Sequence, residues 1–462
     1  MQFCLGDIAR VTGGRILSGS EELSFTSIGI DTRKLKRGDL FVAIPGLHFD
    51  GHDFIGDAQA AGAAALLMKK GTSAPEGIGA IEVDDTVCAL GDIASWWREK
   101  FKVPCVAITG SNGKSTTKEM AAAIAHTMGP VLKTEGNFNN LIGLPLTVFR
   151  WDDLHRVSIL EMGMNAPGEI RRLTQIARPD IGLITNVTAA HLEKLHTVEA
   201  VARAKGELFE AMDSRGIAII NAEDRWVRQM ASMHAGEKIF FGMQNNCDVK
   251  FLHMETNGLD KIDLTLAIRD REYKARLPVP GAHNVMNALA AVAVGVALGV
   301  DEGEAVNRLS DFHPMAMRFE RMQLANGARV VNDSYNANPE SMRAAFRTVG
   351  AAKRSGRFIA ALGDMLELGD KSGELHQTIG KDAESLGVNE LFLLGDYATD
   401  VAKGATDSGM SESSVHICED ADQLVRLVEI ELKAGDVLLV KGSRGMHMEV
   451  LVEHLKKEIG TG

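Results

Sequence analysis

Little in this sequence invites a disulfide, a zinc ion, a nucleic acid or a membrane. Its five cysteines (Cys4, Cys88, Cys105, Cys247, Cys418) are scattered, with no C-x-x-C spacing. That excludes a zinc-ligand pattern and a disulfide framework, and predicts buried thiols in a reducing compartment. Positive charge is short: 50 Lys and Arg against 62 Asp and Glu leave a formal net charge of -12. A protein that binds nucleic acid by neutralising phosphates needs the opposite balance, whereas a small anionic substrate needs only a local cluster of cations. The most apolar helical stretch, residues 288–300, falls short of the roughly 18–20 residues of a membrane span. Asp7 and Arg10 fall too early to leave room for a signal-type apolar region. Aromatic residues make up only 5% of a chain that is otherwise 45% hydrophobic and 24% charged, a soluble globular balance. No fixed-period repeat or low-complexity tract is visible. The expectation is a cytoplasmic protein with no membrane span and no nucleic-acid partner.

What is present is an α/β rhythm. A chain of 462 residues exceeds one ordinary core, and three segments separate by pattern. Residues 1–84 are mixed: "DLFVAIPG" and "AAALLMKK" read as buried strands, with "FIGDAQAAGA" as a helix between them. The stretch "TVCALGDIASWWREKF" reads as a helix leading into the second segment, 85–313. There "VPCVAI", "VSILEM", "DIGLITNV" and "GIAIINAED" alternate with helical periods, which predicts a parallel sheet wrapped by helices. "DLTLAIRDREYKARLPVPG" predicts an antiparallel hairpin before a helix near His283. Residues 314–462 repeat the rhythm with "ARVVNDSY", "RFIAALGDM", "ELFLLG" and "DVLLVKGS". In such sheets ligands sit beyond the carboxyl ends of strands, so functional residues belong there.

The stretch "VPCVAITGSNGKSTTKEM" ends an apolar strand in a phosphate-loop pattern. It is shorter than G-x-x-x-x-G-K-[ST], which would place Gly where Ile108 stands. The physical requirements are nevertheless met. Gly110 and Gly113 can take positive φ, the backbone of Ser111 and Asn112 can face an anion, and a helix begins behind them. Lys114 supplies a cation, Ser115 a hydroxyl for Mg2+, and Thr116 continues the helix start. The loop predicts ATP or a similar triphosphate.

Other strand ends carry polar groups that read two ways. Glu161 can hold Mg2+ or be a solvated carboxylate. His191 follows the next strand end, after Asn186, as a metal ligand or a hydrogen-bonded structural histidine. Lys205, on a helix, reads by itself as a surface or helix-terminal lysine. Asn137, Asn139 and Asn140 in "GNFNNLIGLP" suit a sugar or peptide, or a turn. Asn284 and Asn287 stand at a helix start, where one can be a cap. "NDSYNANPESM" offers Asp333, Tyr335, Asn336 and Asn338, and neighbouring strand ends offer Asp364, Ser443 and Arg444.

Taken together, "TGSNGKSTTKEM", "DTRKLKRGDLFVAIPG", "GNFNNLIGLP", "AHLEKL", "AKGEL", "GAHNVMNALAA", "NDSYNANPESM", "GDMLELG" and "KGSRGM" resemble the Mur ligases. These are ATP-dependent amide-forming enzymes of peptidoglycan synthesis, and the likeness covers nearly the whole chain. It implies three domains: a small mixed α/β N-terminal domain for a UDP-sugar, a central P-loop ATPase and a C-terminal Rossmann-like domain. It implies ATP and Mg2+ as cofactors, UDP-MurNAc-tripeptide and D-Ala-D-Ala as substrates, and a monomer. Position by position, Asp31, Thr32 and Arg33 match the segment contacting UDP, and Asn287, Arg318 and Asp333 match nucleotide contacts. Glu161 and His191 match metal ligands. Lys205 matches a lysine that is carbamylated in several members, where the added carboxylate helps hold a second Mg2+. Tyr335, Asn336, Asn338, Ser443 and Arg444 are expected on the substrate. The family pattern P-x-x-G-R departs here to "PMAMR", with Met317 where Gly is usual, and a stiffer interdomain hinge is the expectation. Two alternatives stay open: a sister ligase adding a single amino acid, and a nucleotide-dependent binding module. The first should offer an Arg-bearing motif soon after "NDSY", but none precedes Arg343. The second leaves the Asn-rich strand ends without a use.

Overall fold

The computed structural model describes residues 2–46, 49–352 and 356–461, so positions 1 and 462 lie outside the described residues. Three α/β domains follow one another, each built on its own sheet. In the central one, strands Cys105–Thr109, Val157–Glu161 and Ile181–Ile184 are buried along their whole length, as short apolar runs in a doubly covered sheet must be. The parallel order is Val131–Lys133, Val157–Glu161, Cys105–Thr109, Ile181–Ile184, Ile217–Asn221, Glu237–Gly242. Beyond it, Val249–Asn257, Lys261–Ile268 and Arg271–Leu277 form an antiparallel extension that includes the expected hairpin.

The chain leaves Cys105–Thr109 toward one side of the sheet and later crosses to the other, making a switch point at that strand's carboxyl end. Register does the rest. Glu161 lies opposite Ile108, and Ile184 opposite Thr109. Glu161, the Gly110 loop and Thr185 therefore emerge together. Behind them helix Lys114–Ala125 packs on the Ala-rich helix Ala282–Ala297, which is apolar on nearly every face because it is buried on nearly every face. Their approach is close: a Cβ on Gly295 would lie 2.8 Å from Ile124 Cγ2.

The N-terminal sheet runs Arg15–Ser18, Gly79–Val83, Ala65–Lys69, Leu40–Val42, Ile28–Gly29, parallel except for the first strand. Its junction with the central domain collects the scarce aromatics. Phe3 stacks on Trp97 at 4.2 Å between ring centroids and Phe101 on Trp151 at 5.6 Å. Trp97 Nε1 donates to the Trp151 carbonyl at 3.2 Å. One apolar cluster runs from Phe3 and Leu40 through to Ala107 and Leu160, so these two domains share a core.

The C-terminal sheet runs Glu320–Gln323, Arg329–Asn332, Val437–Lys441, Phe358–Gly363, Glu390–Leu394, Val415–Cys418, parallel except for the first strand. It has its own core, which Leu259 of the central hairpin joins. Arg321 fastens that hairpin, donating to the Asp260 carbonyl at 2.6 Å and the Pro278 carbonyl at 3.0 Å.

One expectation is corrected here. All five cysteines are free, but only Cys105, Cys247 and Cys418 are buried; Cys88 is exposed and Cys4 half-buried. Cys88 occupies the first turn of helix Thr86–Arg98, off the face formed by Ala89, Leu90, Ile93, Ala94 and Trp97. Met317, where the family pattern has Gly, stands in the left-handed region with φ 58, followed by Phe319 at φ 53. Its N–H donates to Glu320 Oε2 at 3.0 Å and its carbonyl accepts from the Tyr335 N–H at 3.1 Å. Holding a non-glycine residue there costs about 1 kcal/mol. Met317→Gly is expected to stabilise the chain by about 0.5–1 kcal/mol, and the β-branched Met317→Val to destabilise it by more than about 1 kcal/mol. Urea midpoints of the two variants check this; equal midpoints would contradict it.

Candidate active site

Both glycines of the loop are required by contact as well as by angle. A Cβ on Gly110 (φ 147) would fall 1.9 Å from Thr185 Oγ1, and one on Gly113 (φ 79) 2.2 Å from Asn287 Oδ1. The neighbouring strand end clamps the loop between them. Thr185 Oγ1 donates to the Asn112 carbonyl at 2.6 Å. Asn186 accepts the Asn112 N–H on Oδ1 at 3.0 Å, and its backbone carbonyl accepts the Ser111 N–H at 2.9 Å. Ser111 Oγ accepts the Thr188 N–H at 3.0 Å. Thr185, Asn186 and Thr188 are therefore part of the loop's architecture. Asn186 was visible in "ITNV", but nothing in the sequence marked the two threonines. Helix Lys114–Ala125 starts at Gly113 with no side-chain cap, which leaves its first N–H groups available to an anion. Ser115 is buried and Thr116 half-buried at that start.

Cations and carboxylates surround the loop. Lys114 Nζ donates to the Gly110 carbonyl at 2.9 Å. Desolvation pushes the Lys114 ammonium down; Glu161 acts against that shift and Arg318 adds to it. Lys205 is not the surface lysine its helix suggested. Only 1% of it is exposed, and among the described residues no acceptor or carboxylate bonds its ammonium. Desolvation first and Lys114 second push it well below its ordinary value, so the site favours the uncharged amine. Its place on the helix explains the burial, since Val201, Leu208 and Phe209 share its face.

Glu161 is 2% exposed. Its Oε1 accepts from Asn139 Nδ2 at 2.9 Å, while Oε2 is buried without a partner among the described residues. A buried carboxylate oxygen left so is a place for a cation. His191, half-buried and at φ 56, has Nδ1 2.6 Å from Glu367 Oε2 of the C-terminal domain. That hydrogen bond holds the Glu367 carboxyl below its usual range. Among the described residues no three His, Cys, Asp or Glu side chains converge on a preformed metal site. Mg2+ commonly takes few protein carboxylates and completes its shell with phosphates and water. The unpartnered Glu161 oxygen fits such a partial site.

The C-terminal domain meets the loop directly. Asn338 Nδ2 donates to Asn112 Oδ1 at 2.6 Å, and the reverse bond measures 3.4 Å. Asn338 also caps helix Pro339–Ala351 in a capping box with Ser341. The Arg318 guanidinium lies 3.8 Å over the Tyr335 ring. Asp333 Oδ1 accepts the Phe319 N–H at 3.0 Å, and its Oδ2 accepts from the buried Lys441 at 2.5 Å. The remaining candidates are placed as follows. Asn287 Nδ2 donates to Asn284 Oδ1 at 3.1 Å, and both side chains are buried. Asn140 Oδ1 takes the Gly143 N–H at 2.8 Å, while Asn137 and Asn336 are exposed. Ser443 Oγ accepts the Leu366 N–H at 2.8 Å, and Arg444 pairs with Glu449 at 3.0 Å. Asp364 accepts the Asp396 and Tyr397 N–H groups, a buried helix-start role. Arg33 forks onto Asp31 at 2.8 and 2.9 Å, with Thr32 half-exposed beside them.

Comparison with known proteins agrees along the whole length. The Mur ligase middle-domain model matches residues 108–295, the family's glutamate ligase domain residues 317–444, and its catalytic domain residues 24–98. The UDP-N-acetylmuramoyl-tripeptide–D-alanyl-D-alanine ligase of Bacillus subtilis (strain 168) is 34% identical over 97% of each chain. The crystal structure of MurF from Acinetobacter baumannii superposes with a TM-score of 0.91 at 29% identity over 99% of each chain. MurF ligase from Thermotoga maritima in complex with ADP gives 0.83 at 27% identity, over 94% of this chain and 97% of its own. With a family model on each of its three domains and a relative alike from end to end, the chain belongs to the Mur ligase family.

Proposed function

We propose that the chain is an ATP-dependent ligase that joins D-alanyl-D-alanine to UDP-N-acetylmuramoyl-tripeptide through an acyl phosphate. What carries this reading is a phosphate loop held against the C-terminal domain through Asn112 and Asn338, so that nucleotide and amine substrate meet where two domains touch. The substrate pair comes from the whole-length likeness to the Bacillus subtilis ligase, and the nucleotide from the loop together with the ADP-bound Thermotoga relative. Residues 1–84 hold the UDP-sugar through Asp31, Thr32 and Arg33, residues 85–313 hold ATP, and residues 314–462 hold D-Ala-D-Ala.

Gly110 to Thr116 cradle the triphosphate, with Asn287, Arg318 and Asp333 on the rest of the nucleotide. Lys114 offsets the repulsion between the γ-phosphate and the attacking carboxylate, two anions that otherwise keep apart. Ser115, Glu161, His191 and carbamylated Lys205 would hold Mg2+, which supplies further charge neutralisation. Lys205 suits that modification because its burial favours the uncharged amine, the form that is nucleophilic toward CO2. Asn137, Asn139, Asn140, Tyr335, Asn336, Asn338, Ser443 and Arg444 surround the peptide substrates. No helix among the described residues is long and apolar enough to cross a membrane, and the reading is of a cytoplasmic monomer. Hydroxylamine trapping tests the chemistry. With ATP and the UDP-tripeptide but no dipeptide, a hydroxamate is expected in step with ADP; ADP without hydroxamate would overturn the acyl phosphate.

A further inference from the structure

His191 and Glu367 lie 176 residues apart and belong to different domains, yet Nδ1 and Oε2 are 2.6 Å apart. The surrounding backbone is shaped for that contact. The Glu193 N–H donates to the Glu367 carbonyl at 3.1 Å. Gly369 backs onto the same turn, where a Cβ would lie 3.1 Å from Glu193 Cα. His191 (φ 56) and Glu367 (φ 64) both sit in the left-handed region without being glycine, strain that persists only where its surroundings over-determine it. An ionised carboxylate can only accept, so Nδ1 is the donor, and in the neutral imidazole Nε2 then carries the lone pair. That is the tautomer in which imidazole ligates a cation, and a carboxylate behind the ligand is what usually fixes it. Here the carboxylate comes from the C-terminal domain, whose core is built almost wholly from its own residues.

We propose that Glu367 is a positioning residue: by accepting the Nδ1–H hydrogen bond of His191 it makes that imidazole a competent cation ligand only when the C-terminal domain is docked. The inference rests on the metal reading of Glu161 and His191 given above. It explains a contact that substrate binding alone does not require, and it ties assembly of the cation site to domain closure.

Mn2+, in place of Mg2+, tests it in the full chain, with free Mn2+ followed by electron paramagnetic resonance beside a non-hydrolysable ATP analogue. E367A is expected to weaken Mn2+ binding about tenfold, and H191A at least as much. The double variant should be within about twofold of H191A alone, because both changes remove one coupled unit. E367Q, whose amide oxygen still accepts the Nδ1–H hydrogen bond, should recover most of the affinity, and E367M, which cannot accept it, should repeat the loss and carries the test if E367A does not fold. Nucleotide affinity in chelator should be unchanged in the Glu367 variants. Mn2+ affinity unaltered by E367A or E367M, or losses that add in the double variant, would overturn the proposal while leaving the metal reading standing. Absence of Mn2+ binding in the unsubstituted chain would instead remove the metal reading, and this inference with it.

Discussion

Lys205→Met is expected to make the chain more stable and inactive at once. Lys205 is 1% exposed, and methionine fills the same unbranched volume without a polar head. Removing a polar head held at such burial should stabilise the chain by about 1–3 kcal/mol at neutral pH. The sign of the pH dependence follows from the lowered value of Lys205. Below the ordinary lysine value the unfolded chain binds a proton at this position that the folded chain does not. Stability of the unsubstituted chain therefore falls as pH drops through that window, and rises again toward the ordinary value. Lys205→Met lacks this contribution, so its advantage should be largest near neutrality and shrink as pH climbs toward about 10. Unfolding curves across that range in CO2-free buffer check it, and a less stable variant would contradict it. Lys205→Ala adds a chemical control. Short carboxylic acids should restore part of its ligation if a carbamate is the working group, and no restoration would count against carbamylation.

Lys114→Ala is expected to leave the fold intact and turnover about 10²–10³-fold lower, the usual effect of deleting a preorganised group that meets developing charge. Among the described residues Lys114 bonds to carbonyls of its own loop alone, chiefly that of Gly110 at 2.9 Å, and its desolvation works against its charge. Little folding energy depends on it. The triphosphate is what gives that cation a partner. Thermal midpoint and steady-state rate measured on one preparation separate the two effects; a folded variant with a near-normal rate would remove the phosphate-loop assignment.

How far the sequence could be read depends on how local each signal is. The phosphate loop was legible because strand, glycines, lysine and helix start are contiguous, and the structure adds only what Gly110 and Gly113 avoid touching. The parallel sheets were legible from buried apolar runs, whereas the pairing of Phe3–Cys4 with Ser24–Phe25 is too short to leave a period. Lys205 could have been placed inside, since it shares a helical face with Val201, Leu208 and Phe209; charge was weighed where spacing should have been. The capping role of Asn338 had a local mark in the proline after it, although Asn338 was expected on the substrate. Its bond to Asn112, like that of Glu367 to His191, spans a domain boundary and has no local trace. Strand ends told where to look, and the contacts between domains had to be seen.

The most direct measurement is phosphate release from ATP by the full chain with UDP-N-acetylmuramoyl-tripeptide, with and without D-alanyl-D-alanine, the product followed by mass. Release that requires both substrates, together with a UDP-pentapeptide product, is the expected result. Release that ignores the dipeptide, or answers to a single free amino acid instead, would contradict the assignment of the C-terminal domain and of the ligase itself.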